Sequence, residues 1–159
     1  MVILMVFGFG EGSITLTLDK TNLAFGETVH GKLSLKLKKE KQARQLRVRL
    51  EAVQTQRRYG PVLVGPQQRS SSRTDVLFST DTIVDGEKLY TPPGKDYEFK
   101  IQVPAKSALP AQPQGGLATA MKTMQFLSGI QSQLRWYVTA SLDIPGGKDI
   151  SKRIQVSVQ

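Results

Sequence analysis

The sequence predicts an all-β protein: one antiparallel β-sandwich over residues 1–159, with one short helix. Three observations carry this expectation. Apolar and polar side chains alternate at period two in Val29–Lys38, Leu46–Ala52, Tyr97–Val103 and Leu134–Leu142, the pattern of strands with one buried face. Such runs recur between Gly- and Pro-marked turns, giving seven or eight strands, the number of an antiparallel sandwich. The chain has no cysteine in 159 residues, a length that buries a substantial core without disulfides.

Each element follows from local pattern. The opening MVILMVFGFG is apolar but far shorter than the roughly 20 residues of a membrane span. It lacks the basic leader and cleavage site of a secretory signal, and reads as an edge strand or a short packed tail. Ile14–Leu18 alternates and forms a first strand. From Val29 the apolar face is Val29, Gly31, Leu33, Leu35 and Leu37, and the polar face His30, Lys32, Ser34, Lys36 and Lys38. After a charged loop, Lys38–Arg44, the residues Leu46, Val48, Leu50 and Ala52 alternate with Arg47, Arg49 and Glu51. The short link between these two strands predicts a hairpin, apolar inside and basic outside. Gly60–Arg73 is rich in Gly, Pro, Gln and Ser and reads as a loop, in which GPVLVG is a candidate edge strand. Thr74–Thr80 and Thr82–Leu89 read as two further strands. Tyr97, Phe99, Ile101 and Val103 alternate up to Pro104, which ends that strand. Leu117–Ile130 is the one helical candidate, with Leu117, Met121, Met124 and Leu127 near one face; its expected role is to pack on the sandwich as an insertion. Leu134, Trp136, Val138, Ala140 and Leu142 make the clearest strand, and Ile154, Val156 and Val158 the last one.

Charge is the main surface signal. The formal net charge is +9, and ten Lys/Arg lie between Lys32 and Arg58 against Glu40 and Glu51. The rest of the chain is nearly balanced. Alternate strand residues share a face, so Arg47 and Arg49 point the same way, as do Lys32 and Lys36; together with Lys38, Arg57 and Arg58 they are the expected basic, partner-binding face of the hairpin. Such a patch binds carboxylate- or phosphate-bearing partners by charge-assisted hydrogen bonds. A protein with an acidic segment is the expected partner, and an anionic membrane surface is the alternative. Nucleic acid ranks lower, because the segment has no aromatic before Tyr59 on which bases would stack.

Nothing in the sequence marks catalysis. His30 is the one histidine, so no histidine pair exists for zinc, and there is no HExxH, GxSxG, P-loop or GxGxxG. Asp19, Asp143 and Asp149 lack EF-hand spacing and read as turn formers. No metal or cofactor is expected. The absence of cysteine fits a reducing, cytoplasmic location.

The segment AFGETVHGKLSLKLKKEKQARQLRVRLEAV resembles the opening of the arrestin N-terminal domain family. YTPPGKDYEFKIQVPAKSALP resembles the family's aromatic alternating strand running into proline, and LRWYVTASLDIPGGKDISKRIQV its late strand, Asp-x-Pro turn and closing strand. These stretches cover about half the chain in the family's order. The resemblance, which extends to bacterial and archaeal relatives similar to the sporulation-control proteins, implies an immunoglobulin-like sandwich of arrestin type. It also implies a non-catalytic adaptor or sorting scaffold. Two departures bear on function. Phosphate-sensing arrestins carry adjacent lysines in the first strand, where this chain has Thr15-Leu16-Thr17-Leu18, so the resemblance does not extend to phosphopeptide recognition. A second arrestin domain, the other half of the family's interdomain switch, is not in this sequence. Unpaired sheet edges make a homo-oligomer the remaining expectation.

Overall fold

Two largely antiparallel sheets stack into a β-sandwich. The computed structural model describes residues 2–4, 11–58, 71–109 and 130–159. In chain order the strands are β1 (Val2–Leu4), β2 (Gly12–Leu18), β3 (Asn22–Leu23), β4 (Thr28–Leu37), β5 (Lys41–Ala43), β6 (Gln45–Arg58), β7 (Ser71–Asp85), β8 (Lys88–Tyr90), β9 (Gly94–Gln102), β10 (Ile130–Asp143) and β11 (Ile150–Val158). A 3-10 turn spans Lys106–Ala108. One sheet has the order β1-β2-β4-β9 and the other β3-β11-β10-β6-β7, while β5 and β8 form a two-stranded clip. All neighbours are antiparallel except β3, which runs parallel to β11.

Alternation builds the core. Positions 29, 31, 33, 35 and 37 of β4 are buried and those between them are not. Leu16, Leu33, Leu35 and Ile101 of the smaller sheet join Val48, Leu50, Val138 and Leu142 of the larger one in a single buried cluster. Trp136 closes one end of it, with the rings of Phe25 and Phe78 each centred 6.1 Å away.

The expected hairpin is not formed. β4 pairs with β2 and β9, whereas β6 pairs with β10 and β7. The link between them crosses from one layer to the other. Both strands direct their apolar stripes into the same core, so their polar faces point to opposite sides of the sandwich.

Other boundaries also differ. Thr74–Thr80 and Thr82–Leu89 are one long strand, β7, followed by the short β8. Asp81, a poor strand former, is accommodated because it lies opposite Arg49 in the ladder. β7 begins at Ser71, inside the expected loop; residues 59–70, with the GPVLVG segment, lie outside the described residues. So do residues 117–129 of the expected helix, while Ile130 already belongs to β10. Val2–Leu4 is an edge strand paired with β2, as its apolar pattern predicts; the remainder of the first ten residues lies outside the described structure. Asp149 closes the turn after β10, its Oδ1 accepting the Ile144 N–H at 2.9 Å.

Gly31 is required by packing. It sits opposite Phe99 in the ladder, and a Cβ there would overlap the Phe99 ring and Leu18. Gly31→Val is expected to cost about 1–3 kcal/mol through overpacking, seen as a lower urea midpoint with an unchanged slope.

Candidate functional site

The outer face of the five-stranded sheet is built by the odd-numbered residues of β6 and their neighbours. Arg47 lies between Ile83 of β7 and Ser141 of β10, and Arg49 between Asp81 and Thr139. Glu51 lies between Ser79 and Tyr137, and Val53 between Val76 and Arg135. On β11, Arg153 is opposite Thr139. The ladder therefore gathers Arg47, Arg49, Arg57, Arg135 and Arg153 on one surface, with Asp81 and Glu51 as the acids among them.

Two of these arginines are committed to ion pairs. Arg49 donates to Asp81 through both prongs of its guanidinium, Nε to Oδ1 at 2.6 Å and Nη2 to Oδ2 at 3.0 Å. That hydrogen bond holds the Asp81 carboxyl below its usual range and raises the Arg49 guanidinium above its own. Arg153 donates to Glu51 through Nη2 and stacks on Tyr137, its guanidinium carbon 4.5 Å from the ring centre. Its Nε also lies 3.3 Å from Thr139 Oγ1. Glu51 is only 6% exposed although it stands on the outer face, so the Arg153–Tyr137 stack acts as its cover.

The others are available. Arg47 donates from Nε to Ser141 Oγ at 3.3 Å, and among the described residues Arg47, Arg57 and Arg135 have no ion-pair partner. A guanidinium held at one nitrogen keeps its remaining N–H groups for an incoming carboxylate.

The opposite face is of mixed sign. Lys32 lies between Thr17 of β2 and Glu98 of β9, its Nζ 4.0 Å from the Glu98 carboxylate. It borders a shallow hollow of about 570 Å³ shared with Thr15, Thr17, Ser34 and Asp96. His30 lines a second hollow with Asp19, Glu98 and Lys100. Lys36 shares this side, and Lys38 follows the end of β4.

The seven sequence-predicted residues thus divide. Arg47, Arg49 and Arg57 share the five-stranded face. Lys32 and Lys36 stand on the other side of the molecule, and the Arg58 side chain lies outside the described structure. A single basic face combining the lysines with the arginines is not formed, because the strands bearing them belong to different layers. Arg135 and Arg153 complete the surface. Arg135 alternates with Leu134 and Trp136 in the sequence, which turns it outward; the information no local window holds is that β10 is the neighbour of β6. Among the described residues no cluster of His, Asp and Glu has the makings of a metal site, and no helix is long and apolar enough to cross a membrane.

Comparison with known proteins defines the class by fold. No protein-family model matches the chain, and no curated protein matches it. Among solved structures it is similar to the crystal structure of Spo0M, sporulation control protein, from Bacillus subtilis, with a TM-score of 0.58 at 18% sequence identity. The match covers 95% of this chain and 50% of that one, so the chain spans half the length of the protein it resembles. At that identity the likeness establishes the sandwich alone.

The Arg49–Asp81 pair makes a pH prediction. A carboxyl whose pKa is depressed on folding contributes stability above its unfolded value, and that contribution is lost as pH falls through the depressed one. A double-mutant cycle of Arg49→Ala and Asp81→Ala is expected to give a coupling of about 0.5–1 kcal/mol at neutral pH, since the pair is a third exposed. The coupling should fade only below the ordinary Asp value of 3.8. Urea unfolding across an acid pH series measures it.

Proposed function

We propose that this chain is a non-catalytic interaction module, an adaptor or scaffold, that docks an extended acidic segment of a protein partner on the outer face of its five-stranded sheet. The observation that carries this reading is the set of guanidiniums without an ion-pair partner among the described residues, Arg47, Arg57 and Arg135, beside the paired Arg49 and Arg153. From Arg47 to Arg57 the stripe runs about 33 Å at the rise of a strand, the span of an extended peptide of about ten residues. Arginine forks take carboxylates in two-pronged geometry, and the hydroxyl-bearing residues of the same face (Ser79, Thr139, Ser141) add hydrogen-bonding capacity. Lys32, Lys36 and Lys38 have no part in this surface. A cysteine-free chain suits a reducing compartment, and the cytoplasm is the proposed setting.

The test is fluorescence anisotropy with a labelled Asp/Glu-rich decapeptide. The variant Arg47→Glu/Arg57→Glu/Arg135→Glu should bind at least about tenfold more weakly, a loss of about 1.4 kcal/mol. Lys32→Glu/Lys36→Glu, which changes net charge on the other side, should bind within about twofold of wild type. Equal losses in both variants would show a response to net charge alone and overturn the assignment. So would binding of phosphatidylserine vesicles, through the same arginines, in preference to the peptide.

A further inference from the structure

The three longest strands outrun the layer that covers them. Among the described residues of the β7-β6-β10 ribbon, no side chain in Gln54–Arg57, Ser72–Val76 or Ser132–Arg135 is buried. On one side β7 is laddered to β6 from Ser71 to Asp85 with two register shifts; on the other side no described strand pairs with it. Near its C-terminal end β9 approaches, with Thr82 Oγ1 3.4 Å from the Lys100 carbonyl and the Tyr97 hydroxyl donating to Asp85 at 2.8 Å. The N-terminal half, Ser71–Val76, has no such neighbour among the described residues. An edge of this kind is a row of backbone donors and acceptors ready to pair.

We infer that this half of β7 is the contact of a homodimer, in which two copies pair antiparallel about a two-fold axis through Thr74. The side chains select the register. Arg73 and Asp75 share one face of the strand and Ser72, Thr74 and Val76 the other. An axis perpendicular to the sheet keeps each face on its own side, so it must pass through a residue and not between two. Through Arg73 it would set arginine against arginine, and through Asp75 aspartate against aspartate; like charges directly opposite are destabilising. Through Ser72 only three of the described residues of the strand would pair. Through Val76 the pairing would run into the bulge that separates Val53 from Ala52 in the β6–β7 ladder. Through Thr74, Arg73 of each copy meets the second copy's Asp75, Thr74 meets its own equivalent, and Ser72 covers the second copy's Val76.

This register also answers two features of the free chain. Val76 is 57% exposed, the most exposed large apolar side chain among those described, and pairing covers it. Arg73 and Asp75 pair with each other within one strand, Nε to Oδ2 at 3.0 Å. Exchange across the axis gives both charges a partner directly opposite, and the edge itself is locally neutral on a molecule of net charge +9. The contact is independent of the arginine face and stands or falls separately from it.

Sedimentation and light scattering test the dimer. Wild type should shift with concentration from 17.6 kDa toward twice that mass. R73D and D75R should each weaken self-association by about tenfold or more, replacing two attractive pairs with two repulsive ones. The double variant R73D/D75R should associate again, and R73D mixed with D75R should form a heterodimer. Thr74→Cys gives a second readout in a chain with no cysteine of its own. At the axis the Cα atoms lie about 4.5–5.5 Å apart, within disulfide range, so T74C should cross-link under mild oxidation while T139C, in the middle of the sheet, should not. A wild type that stays monomeric at several hundred micromolar, single reversals that leave the dimer intact, or T74C cross-linking no faster than T139C would each overturn the inference.

Discussion

The burial of one face of β4 against one face of β6 is the constraint on which the rest depends. Val29, Leu33, Leu35 and Leu37 on one strand, and Leu46, Val48 and Leu50 on the other, are all within a few per cent of complete burial. Each side chain of this size contributes about 1.5–3 kcal/mol by leaving water. A slip of one residue in either strand would turn its whole apolar set outward. Register is therefore held tightly, and with it the direction of every charged side chain between the apolar ones. The surface chemistry of the molecule is a by-product of core packing: Lys32 and Lys36 point away from Arg47 and Arg49 because the leucines beside them point together.

That same relation explains what was legible in the sequence. The strand faces were readable, because alternation is local: Leu33 in and Lys32 out, Val138 in and Arg135 out. Strand neighbours were not, because pairing is decided across the whole chain. β4 and β6 are joined by a short link, which favours a hairpin in any local reading. Yet each has two other partners, and an arch between layers buries both apolar faces at once, whereas a two-stranded hairpin buries neither. The arginine surface was thus half visible. Arg47 and Arg49 followed from alternation over Leu46–Ala52, but Arg57 shares their face because β6 continues to Arg58, and Arg153 joins them only because β11 is next to β10 and β10 next to β6. Asp81 falls between the expected strands Thr74–Thr80 and Thr82–Leu89, yet it sits in a ladder because Arg49 lies opposite, a pairing no local window contains.

Glu51 and Arg153 show how the outer face is kept in order. A carboxylate that is almost fully covered on the outside of a sheet is costly unless it is paired and hydrogen-bonded. Arg153 supplies the pairing, and its stacking on Tyr137 uses the planar guanidinium as a lid, which a lysine would not reproduce. Arg49 is held in the same way by Asp81. With those two pairs formed, Arg47, Arg57 and Arg135 are the guanidiniums of this face that have no ion-pair partner among the described residues.

The length of β6, β7 and β10 ties this surface to the free edge. A sandwich whose strands all matched in length would stop near Ala52 and Trp136, where the core ends. Instead the ribbon continues through Thr55, Arg57, Thr74 and Gln133 with no apolar cover among the described residues, and such a ribbon gains little from burial. The overhang lengthens the arginine stripe, since Arg57 lies wholly within it, and it lifts Ser71–Val76 clear of β9. In a two-fold pairing through Thr74 the two five-stranded sheets become one of ten, with the arginine faces on the same side because the axis is perpendicular to the sheet. Two stripes then run antiparallel across a common surface, and a partner with two acidic segments, or two tethered partners, would meet both at once. The second contact would form at the high effective concentration set by the linker between segments, so avidity would rise without any new residue at the interface.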